Sequence, residues 1–148
     1  MKPPEGSAEP VITNWQRLSV RELPERLGLP GREAGNRVIL VDGRSAGGKT
    51  TLAGRLQMVL PGSMVVHTDD VAWNFSILGW DSELIENVIR PVRRNEPVRY
   101  QPPGWAPNGR GGAITIESDR DLIVEGVGAG RANRGVGPCR RLGAIRLR

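Results

Sequence analysis

The chain has 148 residues, 38% of them apolar, with a formal net charge of +5 at pH 7; that is the length of one ordinary domain, able to bury roughly two thirds of the surface its unfolded form exposes. Its longest aliphatic run, Val38-Ile39-Leu40-Val41, is too short for a membrane span or a signal-peptide core, so the expectation is a cytoplasmic protein that neither crosses nor binds a membrane. The one cysteine, Cys139, rules out an internal disulfide, and no Cys and His set has structural zinc spacing.

The positive charge sits at one end. Glu125 is the last acidic residue, and Arg131, Arg134, Arg140, Arg141, Arg146 and Arg148 follow it unbalanced, which leaves residues 1 to 125 at −1. A near-neutral body needs no polyanionic partner, and the arginine-rich end has no aromatic residue to stack on bases, so nucleic acid is disfavoured. Of 21 basic residues only Lys2 and Lys49 are lysines.

Residues 1 to 11 are rich in Pro, Glu, Gly and Ser and are expected to form a mobile arm reaching to about residue 17. Ser19-Val20-Arg21-Glu22 reads as a capping box opening a short helix that Pro24 keeps irregular. Arg37 to Asp42, apolar throughout from Val38 to Val41 and ending at Gly43, has the pattern of a strand buried on both faces. A helix from Gly48, with Leu52, Leu56, Val59 and Leu60 on one side, ends at Pro61-Gly62, and Ser63 to His67 makes the next strand. Strand, loop, helix and strand form a right-handed βαβ unit. Asp81 or Ser82 is expected to cap a second amphipathic helix, kinked at Pro91 and ending near Asn95. Pro97 to Gly112 reads as loop. Ala113 to Glu117 and Asp121 to Glu125 read as strands joined by a turn at Ser118-Asp119-Arg120.

The chemistry concentrates at Gly43-Arg44-Ser45-Ala46-Gly47-Gly48-Lys49-Thr50, which fits the phosphate-loop pattern G-x-x-x-x-G-K-[ST]. Its glycines let backbone N–H groups converge on phosphate oxygens at a helix N-terminus. Lys49 is suited to neutralise the β- and γ-phosphates, and the Thr50 hydroxyl to complete the shell of a Mg²⁺ ion. The nucleotide-binding set is therefore Gly43, Ser45, Ala46, Gly47, Gly48, Lys49, Thr50 and Thr51. Asp69 and Asp70 follow the second strand, where open α/β sheets bind ligands. Asp69 is the preferred base for an acceptor hydroxyl, or a Mg²⁺ ligand. Glu125, a lone acid after an apolar strand, reads as a second Mg²⁺ carboxylate. Asp42 is read as fixing the shape of the loop, and His67 as a satisfied core histidine.

Together these residues resemble the uridine kinase and phosphoribulokinase branch of P-loop kinases, over about residues 37 to 131. The resemblance rests on Val41 to Thr51, His67-Thr68-Asp69-Asp70, Gly79-Trp80-Asp81, Pro97-Val98-Arg99-Tyr100 and Val124-Glu125-Gly126-Val127-Gly128. It implies a three-layer α/β/α fold with a mainly parallel sheet, Mg²⁺ with ATP, Asp69 and Lys49 in catalysis, and Thr50, Asp69 and Glu125 around the metal. It puts Asp70, Tyr100 and Arg110 on the acceptor side. Gln101-Pro102-Pro103-Gly104-Trp105 stands where nucleoside kinases carry an acid and then a histidine, so specificity for uridine does not carry over.

Nothing after Arg131 resembles the family's remaining strands or its arginine-bearing lid. Residues 132 to 148 are accordingly expected to be no part of the kinase fold, the chain to be a shortened or frame-shifted relative of a longer enzyme, and the phosphate-loop strand to lack one sheet neighbour, with only Ala144-Ile145-Arg146-Leu147 able to imitate it. Two functions follow: ATP-dependent phosphoryl transfer to a small hydroxyl compound, nucleosides among the candidates, or nucleotide binding without transfer.

Overall fold

A computed structural model describes residues 17–75, 79–135 and 142–147. The expected N-terminal arm lies outside these residues except for Arg17. The capping box forms: Ser19 Oγ accepts from the Arg21 N–H and the Glu22 carboxylate accepts from the Ser19 N–H, each across 3.3 Å. They close one 3₁₀ turn, Val20–Glu22, and a four-residue helix, α1 (Leu23–Arg26), follows with Pro24 in its first turn, where a missing N–H costs nothing.

Next come β1 (Val38–Gly43), α2 (Lys49–Val59), β2 (Met64–His67), α3 (Thr68–Ala72) and α4 (Trp80–Leu84). Gly79 occupies the N-cap of α4, without a side-chain cap, so neither Asp81 nor Ser82 caps it as expected. The helix widens into a π turn over Ile85–Ile89 before continuing as α5 (Arg90–Arg93). Pro91, which has no N–H to give back along the ladder, sits directly after that turn. The remaining strands and α-helix are β3 (Val98–Tyr100), β4 (Ile114–Ile116), β5 (Leu122–Glu125), α6 (Ala132–Gly135) and β6 (Leu142–Leu147). Among the described residues no helix is long and apolar enough to cross a membrane.

The main sheet is wholly parallel, in the order β2-β5-β1-β6. Side chains alternate across it: Val38, Leu40, Leu122 and Val124 face one core with α3, α4 and α5, and Ile39, Val41 and Ile123 face another with α2. Helices on both faces make a three-layer α/β/α arrangement. All four of Val38 to Val41 are at most 1% exposed, each contributing about 1.5–3 kcal/mol of burial. At the N-terminal edge Asp121, also buried, takes the Arg37 N–H across 2.8 Å and its guanidinium across 2.5 and 3.1 Å, so this acid is fully used in structure.

Two expectations are corrected here. The stretch from Pro97 has the composition of a loop, yet Val98–Tyr100 pairs antiparallel with Ile114–Ile116, because Val98 and Ile116 are cross-strand partners that both bury. The second correction concerns the C-terminal segment. Residues 142–147 do not stand off the sheet: β6 runs parallel to β1 along its whole length, from Val38↔Leu142 to Gly43↔Leu147. Leu142 packs on the first core, and Ile145 and Leu147 on the second. A Cβ at Gly143 would meet the Leu27 side chain at 3.0 Å, so the small residue is what lets that leucine close over the sheet. β1 therefore has a neighbour on both sides.

Candidate functional site

Every carboxylate singled out as functional lies at the C-terminal edge of the sheet. β1, β2 and β5 are in register there, Val41 opposite Glu125 and Glu125 opposite His67. Ligands gather at this edge in open α/β sheets, where loops and helix N-termini converge.

The loop after β1 leads straight into α2, with Gly48 at the N-cap in the left-handed region at φ 81°. Ala46 is also left-handed at φ 59°, a conformation costing an alanine about 1–2 kcal/mol. Strain of that kind collects at functional loops. Residues 44 to 48 are exposed, and the first amides of α2, those of Lys49, Thr50 and Thr51, have no intrahelical acceptor. Lys49 is 8% exposed, its ammonium donating to the Arg44 carbonyl across 2.7 Å. A phosphate oxygen is a stronger acceptor than that neutral carbonyl.

Thr50 and Glu125 meet: the hydroxyl donates to Oε1 across 3.1 Å. Glu125 is 6% exposed, and the same Oε1 takes the His67 Nδ1 at 2.5 Å. His67 is not the core histidine expected from the sequence. Its side chain is 44% exposed, at the very end of β2. Hydroxyl and carboxylate are the hard oxygen donors Mg²⁺ takes. Among the described residues no group of three His, Cys, Asp or Glu gathers in a way that could hold a metal ion. Asp42 ties the two loops together, its Oδ1 accepting from the Gly43 and Gly128 N–H groups at 2.8 Å each. That matches the loop-shaping role read from its position.

Asp69 and Asp70 open α3 and differ sharply. Asp69 is exposed, with no contact joining it to Thr50 or Glu125. Asp70 is engaged twice: Arg110 Nη2 donates to its Oδ1 across 2.6 Å, and Trp105 Nε1 donates to its carbonyl across 2.7 Å. The Arg110 guanidinium lies 3.7 Å from the centre of the Trp105 ring and 5.6 Å from that of Trp73. These two indoles were missed from sequence. The clue was that a chain with four tryptophans sets Trp105 just after Pro102-Pro103-Gly104. A cavity of about 310 Å³ opens beside Asp70, between β2 and β4, with Val65, Val66, Trp105, Ile114 and Ile116 on its walls.

Tyr100 stands apart from this cavity's walls. Its hydroxyl donates to Glu83 Oε2 across 2.7 Å, and Asn87 donates to the same oxygen across 2.9 Å. Burial, and then the bond to Glu83, push the phenol well above its ordinary pKa. The structure thus joins Lys49, Thr50 and Glu125 on one side and Asp70 and Arg110 on the other, with Asp69 next to the second group and Tyr100 on neither.

No protein-family model matches this sequence, and no curated protein matches it either. Among solved structures, one described as that of a possible uridine kinase from Bacillus stearothermophilus is similar over 73% of this chain and 69% of its own, with 22% identity and a TM-score of 0.49.

Proposed function

We propose that this chain binds the triphosphate of ATP in the loop of residues 43–50 and transfers the γ-phosphoryl group to a hydroxyl of a small acceptor. The observation carrying this reading is the contact of Thr50, at the N-terminus of α2, with the buried Glu125 at the end of β5. A hydroxyl and a carboxylate held together beside a glycine-rich helix start are what a phosphate-bound cation calls for. Mg²⁺, when bound, would supply positive charge to the β- and γ-phosphates, and Thr50 and Glu125 are the residues that would hold it.

The work left to the chain is positioning and charge. Amides of Gly47 to Thr51 hold the phosphates, and the Lys49 ammonium, turned away from the Arg44 carbonyl, pairs with their oxygens. Asp69 takes the proton of the acceptor hydroxyl as the new O–P bond forms and the bond to the β-phosphate oxygen breaks, giving a phosphate ester and ADP. Asp70 is unsuited to that role because its carboxylate is already paired with Arg110, which supports Asp69. The cavity beside Asp70 has room for a ring compound, so nucleosides head the candidates. Dependence on ATP and Mg²⁺ fits a cytoplasmic place of work.

A coupled ADP-release assay against nucleosides, sugars and pantothenate-like alcohols, with and without Mg²⁺, tests the proposal. Mg²⁺-dependent release with at least one acceptor is expected. Tight ATP binding with no release for any hydroxyl would leave the alternative, a nucleotide-binding module without transfer.

A further inference from the structure

We infer that Arg110 is a positioning residue, clamping the segment between β3 and β4 onto α3 and so fixing where the Asp69 carboxylate stands. This rests on the reading of Asp69 as the base. α3 has five residues, far fewer than the roughly 12–15 at which a helix begins to hold its own shape in water. Its orientation must come from outside. Val71 supplies part, wholly buried under the sheet. The rest comes from the 101–113 segment: Trp105 binds the Asp70 carbonyl, Arg110 binds the Asp70 carboxylate, and the Arg110 guanidinium is stacked on Trp105 and reaches Trp73, the residue that ends α3. The approach is close as well, for a Cβ at Gly104 would run into the Trp73 and Asn74 backbone. Both ends of α3 and the loop therefore meet at one guanidinium.

Asp69 shares this helix, next to the clamped residue, and is itself exposed. Nothing else described pins its carboxylate. A planar guanidinium can stack on an indole and fork toward a carboxylate at once, which an ammonium cannot do. The clamp thus explains why a residue outside the phosphate loop is half-buried with its charge spent internally.

Two readouts test it, using the full chain with Mg·ATP as the only ligand and water as acceptor. Hydrogen exchange of the peptide covering residues 68–73 is measured for wild type, Arg110→Ala, Arg110→Lys, Asp70→Asn and the Arg110→Ala/Asp70→Asn double variant. In the same set, kcat and KM for ATP hydrolysis are determined. The expectation is exchange about tenfold faster in each single variant, the size of a lost charge-assisted bond, with the double variant no faster. kcat should fall by a similar factor while KM for ATP stays within about twofold, and Arg110→Lys should not rescue it. Unchanged exchange in Arg110→Ala overturns the clamp, and faster exchange with unchanged kcat overturns its link to catalysis. An Asp69→Asn variant that hydrolyses at the wild-type rate would instead sink the base assignment, and the exchange comparison, which needs no turnover, would still decide the clamp.

Discussion

The Thr50 hydroxyl donates to Glu125 Oε1 across 3.1 Å, joining the first turn of α2 to the end of β5. That bond sets the phosphate loop against the acid most deeply buried in the site, and Lys49 stands one residue before it. Mg·ATP should therefore raise the melting temperature, and Lys49→Ala should remove most of the rise, since a methyl group makes none of the charge-assisted contacts. Scanning calorimetry with and without nucleotide is decisive: an unchanged ATP response in the variant sinks the phosphate-loop reading.

For Asp69→Asn, turnover with any accepted hydroxyl should fall about 10²- to 10⁴-fold, because the amide keeps the shape of the carboxylate without its basicity. Asp70→Asn should cost far less, as it only breaks the pair with Arg110. Steady-state rates of the two variants, side by side, distinguish the neighbours; the reverse order assigns the base to Asp70.

Asp42 holds the Gly43 and Gly128 amides through one oxygen. In Asp42→Ala both donors lose their partner, so stability should drop by about 1–3 kcal/mol, with weaker ATP binding because the loops flanking the phosphates come apart. Urea unfolding and calorimetric titration measure the two effects. Full stability in the variant would show that water replaces the carboxylate without loss.

Tyr100 is the chain's single tyrosine, so tyrosinate absorbance reports it alone. Its folded pKa is raised by burial and by Glu83, whereas the unfolded phenol titrates near its usual value of about 10. The folded state then keeps the proton that the unfolded state loses. The stabilisation is complete below about pH 10 and is lost as pH rises from there through the folded pKa. Tyrosinate should appear only as the protein unfolds; a titration near pH 10 with native circular dichroism would contradict the buried bond.

β6 completes the sheet beside β1 along six paired positions. Its amides that face β1 should exchange far more slowly than those of the exposed loop residues 44 to 48. Exchange as fast as that loop would return residues 142–147 to the detached tail that their composition suggested.

The sequence by itself determined the elements whose signal is local. Val38 to Val41 declares a doubly buried strand by having no polar face, and the phosphate-loop pattern announces the helix start because glycine spacing, lysine and threonine each have a separate job there. The capping box at Ser19 and Glu22 is likewise an exchange of bonds over three residues. What tertiary structure decided was partnership. The pattern of residues 142–147 shows at most that Ala144 to Leu147 could imitate a strand beside β1, since strand pairing uses backbone groups that every sequence has, and Gly143 gains its meaning only from Leu27 lying over it. Asp69 and Asp70 are interchangeable as letters; Arg110, forty residues further on, separates them by occupying one. His67 and Tyr100 followed the same rule, for a side chain's role there depends on Glu125 and Glu83, residues that the fold brings near and the sequence keeps apart.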